Sequence, residues 1–481
     1  MDIIANAQLF IQNYTAHSLN VIKAHFIRTN PDALNARMNK EDFKGHWYLP
    51  VFNILEDQTI VLPQGCMSKL RKIIKEPINL IDNRQSAYFS NTLNLKMESR
   101  EYQQEIIEKA SKFQTGYFIA PCGSGKTNMF IGIIAKVQQR TLIVVHTKQL
   151  MWQFYDRFKA VTGKTPGVYY SKTKEIKPVT IGVNKSILSH MVNTPAIKMF
   201  GMVIVDECDL VPVPTMQGIL DKCPAKYRFG ATATYKRFDQ QEVMIDFLLG
   251  QRLAKIEHSE LDKVFDPKIY FVSTGARPKY YPQYNWDNQK KAWVKKKKDE
   301  LKNWERSIGP IQISTLVKKQ LLENSSRTSI IIKIIKKEYL LGEVVLVVCG
   351  TVKECILYQK HLMAQGIKSA VITGETKDAD RVILLQDIRN RKCRILLGVN
   401  VVSRGMDVTN ISRIIVTVKR KTTQIIGRGT RQSEHKKDLK VYELIDLYPG
   451  VDKAFKKKEK DLYETYKQNI HWITYLEYLK M

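Results

Sequence analysis

Eight consecutive residues, Ala120-Pro-Cys-Gly-Ser-Gly-Lys-Thr127, lie between an apolar FIA run (118–120) and the helix-forming stretch NMFIGIIAKV. Small residues at Gly123, Ser124 and Gly125 leave room for backbone N–H groups to close around phosphate oxygens. Lys126 would then reach the β- and γ-phosphates, and the Thr127 hydroxyl would ligate Mg²⁺. Ala120, Pro121 and Cys122 form the entry to this loop, with Ala120 where the general pattern has glycine. Such a loop needs a second acidic group, and Asp206-Glu207-Cys208-Asp209 supplies one directly after the apolar MVIV. Asp206 is expected to hold Mg²⁺, and Glu207 to orient and polarise an attacking water. The cofactors implied are ATP and Mg²⁺.

These groups need strand ends to carry them. The runs TLIVV (141–145), VTIGV (179–183) and MVIVDE (202–207) are short and rich in β-branched residues, as buried parallel strands are. A second set follows: EVVLVV (343–348), SAVIT (369–373), CRILLGV (393–399) and SRIIVTV (412–418). Helical stretches separate the runs, which predicts an α/β fold of two tandem parallel-sheet lobes. The expected layout is a small α+β N-terminal domain over 1–92, lobe 1 over 93–265, a basic join over 266–325, lobe 2 over 326–450 and a C-terminal helix over 451–481. The N-terminal domain is expected to open with a helix and to end in a basic helix near Met67–Ile74. In the tail, Leu462, Tyr466, Ile470, Ile473 and Leu476 fall at helical spacing, which predicts a docking stripe.

Lys126-Thr127 together with D-E-C-D resembles motifs I and II of superfamily 2 helicases, and the other motifs follow in order. Arg100-Glu-Tyr-Gln103 is similar to the upstream adenine-recognition element, which implies that Arg100, Tyr102 and above all Gln103 contact the base. His146 to Gln153 resembles motif Ia and Gly230 to Arg237 resembles motif III, which implies nucleic-acid or coupling roles for Thr147, Gln153, Thr232 and Thr234. Val402-Ser-Arg-Gly-Met-Asp407 resembles motif V, with Gly405 and Asp407 on the nucleotide side. Gln424-Ile-Ile-Gly-Arg-Gly-Thr-Arg431 resembles motif VI. The resemblance implies RecA-like lobes with ATP between them, Gln424 in the catalytic set, and Arg428 and Arg431 stabilising charge on the transferred phosphoryl group. Three residues depart from the pattern: Asp209 where histidine is usual, Cys208 where alanine is commoner, and Tyr235 where proline is usual. None removes a magnesium ligand or a phosphate contact.

The chain carries 77 Lys and Arg against 47 Asp and Glu, a formal charge of +30, and so attracts polyanions. The segment QKKAWVKKKKDELKNWERS concentrates this charge beside two tryptophans. It reads either as a solvated helix face or as a basic strip, including Lys295 and Lys296, near nucleic acid. Seven cysteines without a C-x-x-C pair give neither a zinc pattern nor a disulfide framework, and a reduced cytoplasmic setting fits (the host cytoplasm if the protein is viral). No signal peptide or membrane span is expected, and a monomer is.

Phe43-Lys-Gly-His-Trp47, followed by the segment from Ile60 to Ile73, resembles the N-terminal domain of phage UvsW-type helicases. That resemblance implies a motor on branched or forked duplex DNA, acting in branch migration and fork regression. Two other readings use the same motifs: an RNA-directed or transcript-release helicase of a DNA virus, and a non-catalytic nucleic-acid-binding module. The presence of Lys126, Asp206, Glu207 and Arg431 disfavours the last.

Overall fold

The computed structural model describes the chain apart from residues 40–41, 90–91, 238, 262–264, 291, 298, 303–304, 306–307, 400–408, 419–421, 431–432, 434 and 469, and apart from the side chains of 39, 310, 311, 378, 424 and 428. It forms two compact units, Met1–Arg37 with Glu41–Ile256, and Glu257–Met481 with Met38–Lys40.

The first unit is built on an eight-stranded sheet. Its order is Thr173–Lys174, Gly167–Tyr170, Val179–Val183, Thr141–Val145, Met202–Asp206, Tyr227–Thr232, Thr115–Ile119 and Arg252–Lys255. Every pairing is parallel except the hairpin at the first edge. The three apolar runs of the sequence are three of its central strands, buried on both faces as continuous β-branched segments should be.

The chain begins with a strand pair and not with a helix. Asp2–Ala5 and Gln8–Gln12 run antiparallel, and Ile3, Ala5, Leu9 and Ile11 point inward at period two. They belong to a five-stranded sheet that shares one hydrophobic core with lobe 1: Ile3, Leu9 and Leu62 pack with Val203, Phe247 and Leu248. Arg228 stitches the two together. It is fully buried, and its guanidinium donates to the carbonyls of Ala7 (2.9 Å), Leu220 (3.0 Å) and Cys223 (2.6 Å). At Gly65 a Cβ would stand 2.5 Å from the Gly250 nitrogen, so only glycine allows this approach. The basic helix spans Met67–Ile73, but Lys69 is half-buried, donating to the His25 carbonyl at 2.8 Å over the Phe26 and Phe247 rings. Arg71, Lys72 and Lys75 are exposed.

The second unit holds an all-parallel seven-stranded sheet in the order Ala370–Ile372, Ile395–Gly398, Val345–Val348, Arg413–Val416, Leu439–Ile445, Pro267–Ser273 and Ile470–Thr474. Two of these strands come from outside the predicted lobe. Pro267–Ser273 falls in the stretch read as a basic join. Ile470–Thr474 interrupts the predicted tail helix, which becomes the helices Val451–Tyr466 and Tyr475–Lys480 on either side of an edge strand. Leu462 and Tyr466 are buried in the lobe core, as a docking stripe requires, whereas Ile470 and Ile473 dock through the sheet and Leu476, the last residue of the expected stripe, is exposed. The start of the lysine-rich segment forms the second strand of a hairpin, Tyr284–Asp287 with Ala292–Lys295, anchored by Trp293 Nε1 donating to the Leu447 carbonyl at 3.0 Å. Among the described residues no helix is long and apolar enough to cross a membrane.

Candidate nucleotide site and motor motifs

Three adjacent parallel strands bring the distant motifs to one edge. Thr115–Ile119 leads into the phosphate loop, Met202–Asp206 ends in the acidic pair, and Tyr227–Thr232 lies between them. Register places Asp206 opposite Ala231 and Thr232 opposite Ile119, and the Ala120 N–H donates to the Thr232 carbonyl at 2.9 Å. Strand C-termini of this kind form the crevice where α/β sheets bind ligands.

The loop has the conformation its glycines permit. Gly123 and Gly125 take φ values of 90° and 79°, in the left-handed region, and Gly125 caps the helix Lys126–Val137. A Cβ on Gly125 would meet Gln103 Nε2 at 2.5 Å. The Lys126 ammonium folds back onto the carbonyls of Ala120 (3.0 Å) and Pro121 (3.2 Å). Ser124 Oγ is buried and makes no hydrogen bond among the described residues. A bound triphosphate would give both groups an acceptor, and Thr127 in the first helical turn and Asp206 are oxygen donors suited to a hard divalent cation. The residues present therefore fit Mg·ATP.

Gln103 is nearly buried and engaged by the chain itself. Its Oε1 accepts from the Arg100 N–H (3.1 Å), and its Nε2 donates to the Ser124 carbonyl (2.8 Å). The Tyr102 hydroxyl donates to the same carbonyl at 3.0 Å, and Arg100 Nη1 donates to that hydroxyl at 2.8 Å. The helix Glu101–Phe113 is thereby clamped to the phosphate loop. Cys122 is half-buried in the loop.

Burial, aided by the neighbouring Glu207 carboxylate, pushes Asp206 up to about 6, against the pull of Lys126 and His146. Glu207 adopts φ 54° and lies 3.5 Å from His146 Nε2, while its N–H donates to Asp206 Oδ1 at 3.0 Å. Motifs II and III meet two residues further on, at Asp209. The Thr232 hydroxyl donates to Asp209 Oδ1 at 2.9 Å and accepts from the Thr234 N–H at 3.0 Å, and Arg237 donates to the Asp209 carbonyl. Tyr235 stacks on Tyr117 (5.8 Å, 5°), and both hydroxyls donate to Asp246 at 2.9 Å. The His146 and Arg237 contacts and the role of Asp246 were not legible in the motifs, because each depends on a partner brought in by another strand or helix.

The remaining sequence candidates are placed unevenly. Thr147 N-caps the helix Lys148–Thr162, accepting from the Leu150 N–H at 3.2 Å, and Gln153 is half-buried on that helix. Lys295 is exposed. Lys296 is engaged by the buried Glu305 carboxylate at 2.6 Å and lies over the Tyr280 ring. Gln424 and Arg428 lie on the helix Thr423–Gly429, with side chains outside the described ones, and Gly405, Asp407 and Arg431 lie outside the described residues.

Residues 96–237 match the family "Type III restriction enzyme, res subunit", and residues 326–433 match "Helicase conserved C-terminal domain". The chain is a superfamily 2 helicase. As a helicase of that superfamily it is an ATP-dependent motor on nucleic acid. It is 25% identical, over 79% of its own length and 70% of the relative's, to a protein of Acanthamoeba polyphaga mimivirus named as an ATP-dependent RNA helicase. It is 24% identical, over 73% of its length and 82% of the relative's, to the DNA 3'-5' translocase XPB2 of Sulfurisphaera tokodaii. The fold of S. cerevisiae Dbp5, solved with RNA and ADP BeF3, matches over 80% of this helicase and 92% of that chain, with TM-score 0.54 and 12% identity. The crystal structure of T4 UvsW aligns over 99% of this helicase and 100% of that chain, with TM-score 0.42 and 15% identity.

Proposed function

We propose that this helicase is a DNA motor that remodels branched duplexes, moving a junction point in preference to opening long linear DNA. The observation that carries the reading is the N-terminal sheet. It shares the lobe 1 core through Arg228 and Gly65 and presents Arg71, Lys72 and Lys75 to solvent. A basic module fixed to a motor lobe can hold one duplex arm while the motor draws on another. Branch migration makes one pair for each pair broken, whereas linear unwinding must supply about 1.4 kcal/mol per base-pair step. The DNA translocase named among the relatives supports DNA as the polymer. The mimivirus relative favours RNA as the second reading.

In the proposed chemistry Mg²⁺, bound with ATP, supplies charge neutralisation at the phosphates. Lys126 leaves its resting carbonyl partners to hold the terminal phosphates, Thr127 and Asp206 provide oxygen ligands, and Glu207 orients a water and accepts its proton. Gln424, Arg428 and Arg431 are assigned to the same hydrolytic step by their place in motif VI, and Gly405 and Asp407 by theirs in motif V. The test compares ATP turnover of Lys126→Ala and Glu207→Gln with that of the intact chain on four-way-junction DNA, duplex DNA, single-stranded DNA and RNA. The reading expects loss of turnover in both variants with DNA binding retained, and strongest stimulation by the junction. Turnover near the intact level in either variant contradicts the site, and strongest stimulation by RNA favours the second reading.

A further inference from the structure

A cluster of aromatic side chains stands at the surface of the first unit, outside the nucleotide site. On the helix Lys148–Thr162, Lys148, Trp152 and Tyr155 recur at i, i+4 and i+7 and so share one face. Trp152 packs edge-on against Tyr155 (5.3 Å, 71°) and against Tyr170 (6.2 Å, 70°), and Lys148 Nζ lies 4.9 Å from the Tyr170 ring centre. Tyr170 ends the strand Gly167–Tyr170, and the turn that follows it, before the hairpin partner Thr173–Lys174, carries the exposed Lys172. The indole is held between two tyrosines, yet the residue remains 38% exposed. Packing that only served the core would bury it.

The surroundings are cationic. The helix carries one acid, Asp156, against Lys148, Arg157 and Lys159, and the hairpin's Glu175 is already paired with Lys177 at 2.9 Å. Rigid aromatic surface flanked by lysines suits a polymer with π-faces and a negative backbone. Bases stack on such rings whatever their sequence, while lysines take the phosphates. An acidic peptide would use the lysines but has no general use for the exposed indole.

We propose that Trp152, braced by Tyr155 and Tyr170, stacks an unpaired base of single-stranded nucleic acid, with Lys148 and Lys172 on the adjoining phosphates. The inference rests on the nucleic-acid motor reading and adds to it a site for bases, beyond any backbone contact. A strand parted from its duplex at a junction would be received there.

The test measures affinity of the full chain for a dT oligonucleotide and for an abasic strand of equal length, in the intact protein and in Trp152→Ala, Trp152→Phe and Lys172→Ala variants. The intact chain is expected to favour dT. Trp152→Ala should lose about tenfold on dT and little on the abasic strand, Trp152→Phe should restore most of that preference, and unchanged thermal stability would set folding aside. Lys172→Ala should weaken binding of both strands alike and lower the logarithmic salt slope by about 0.7 for each phosphate no longer neutralised. Equal affinity of Trp152→Ala and the intact chain for dT, or equal loss on dT and the abasic strand, overturns the stacking site. If the intact chain binds no nucleic acid, the motor reading itself fails, a result distinct from either.

Discussion

The Thr232 hydroxyl donates to Asp209 Oδ1 at 2.9 Å, so the position where histidine is usual still joins motif II to motif III. The aspartate is buried, and its backbone carbonyl is held by Arg237. A bond between these strand ends can carry the state of the acidic pair to the segment beyond motif III. Asp209→Ala and Thr232→Val should therefore lower DNA-stimulated ATP turnover at least tenfold more than turnover without DNA. The double variant should be no worse than either single one, as for two residues sharing one interaction. Additive losses, or equal losses with and without DNA, would contradict the coupling role.

Asp206 gives a prediction about stability and pH. Its folded value of about 6 is raised above the ordinary 3.8. Between those values the folded chain keeps a proton that the unfolded chain releases, so stability falls as pH rises through this window and stays lower above it. Asp206→Asn removes that cost. It should raise Tm at pH 7.5 by a few degrees, equivalent to about 1–3 kcal/mol, with the gain shrinking toward pH 5, while ATP turnover is lost. A gain of the same size at both pH values would show that the charge is not its source.

Arg228 is a buried cation satisfied by carbonyls of both the N-terminal hairpin and lobe 1. Arg228→Ala leaves those acceptors without a donor and should cost about 3–5 kcal/mol, read as a fall in Tm and as earlier proteolysis of the first 90 residues. The shared core also means that deleting those residues would bare Val203, Phe247 and Leu248, so charge reversal at Arg71 and Lys75 is the cleaner probe of the module. Arg228→Ala with unchanged Tm would contradict the shared core.

Lys295 and Lys296 should behave oppositely. Lys296 is engaged by Glu305, whose carboxyl is held low chiefly by that ammonium and by the Tyr280 hydroxyl. Lys296→Ala should lower Tm and leave the salt dependence of DNA binding nearly unchanged. Lys295→Ala should leave Tm alone and lower the slope by about 0.9 if the strip follows duplex DNA. The reverse pattern would place Lys296 on the nucleic acid and Glu305 in a minor role.

Most of the strand edge that carries the motifs was legible because its parts are local. Small residues before Lys126, acids after MVIV and β-branched runs of five residues each carry their own signal, and the strands at 141–145, 179–183 and 202–206 coincide with three of those runs. What escaped depends on distant partners. Ile470 and Ile473 sit at helical spacing, yet pairing with Ile269 and Val272 makes them strand residues. The first twelve residues alternate inward and outward around a turn at Asn6-Ala7, a pattern too short to separate from a helix before the lobe 1 core covers it. Lys296 read as one of several equivalent lysines until Glu305, nine residues on, set it apart.

We propose that this superfamily 2 motor spends ATP hydrolysis on moving branch points. The direct measurement sets ATP-dependent dissociation of a four-way DNA junction beside unwinding of a tailed linear duplex with the same arm length, using the full chain and an Arg71→Glu/Lys75→Glu variant. Junction processing by the intact chain should be at least tenfold faster, with that ratio collapsing in the variant while its ATP turnover on single-stranded DNA persists. Equal rates on the two substrates, or a variant that keeps the full junction preference, would contradict the proposal.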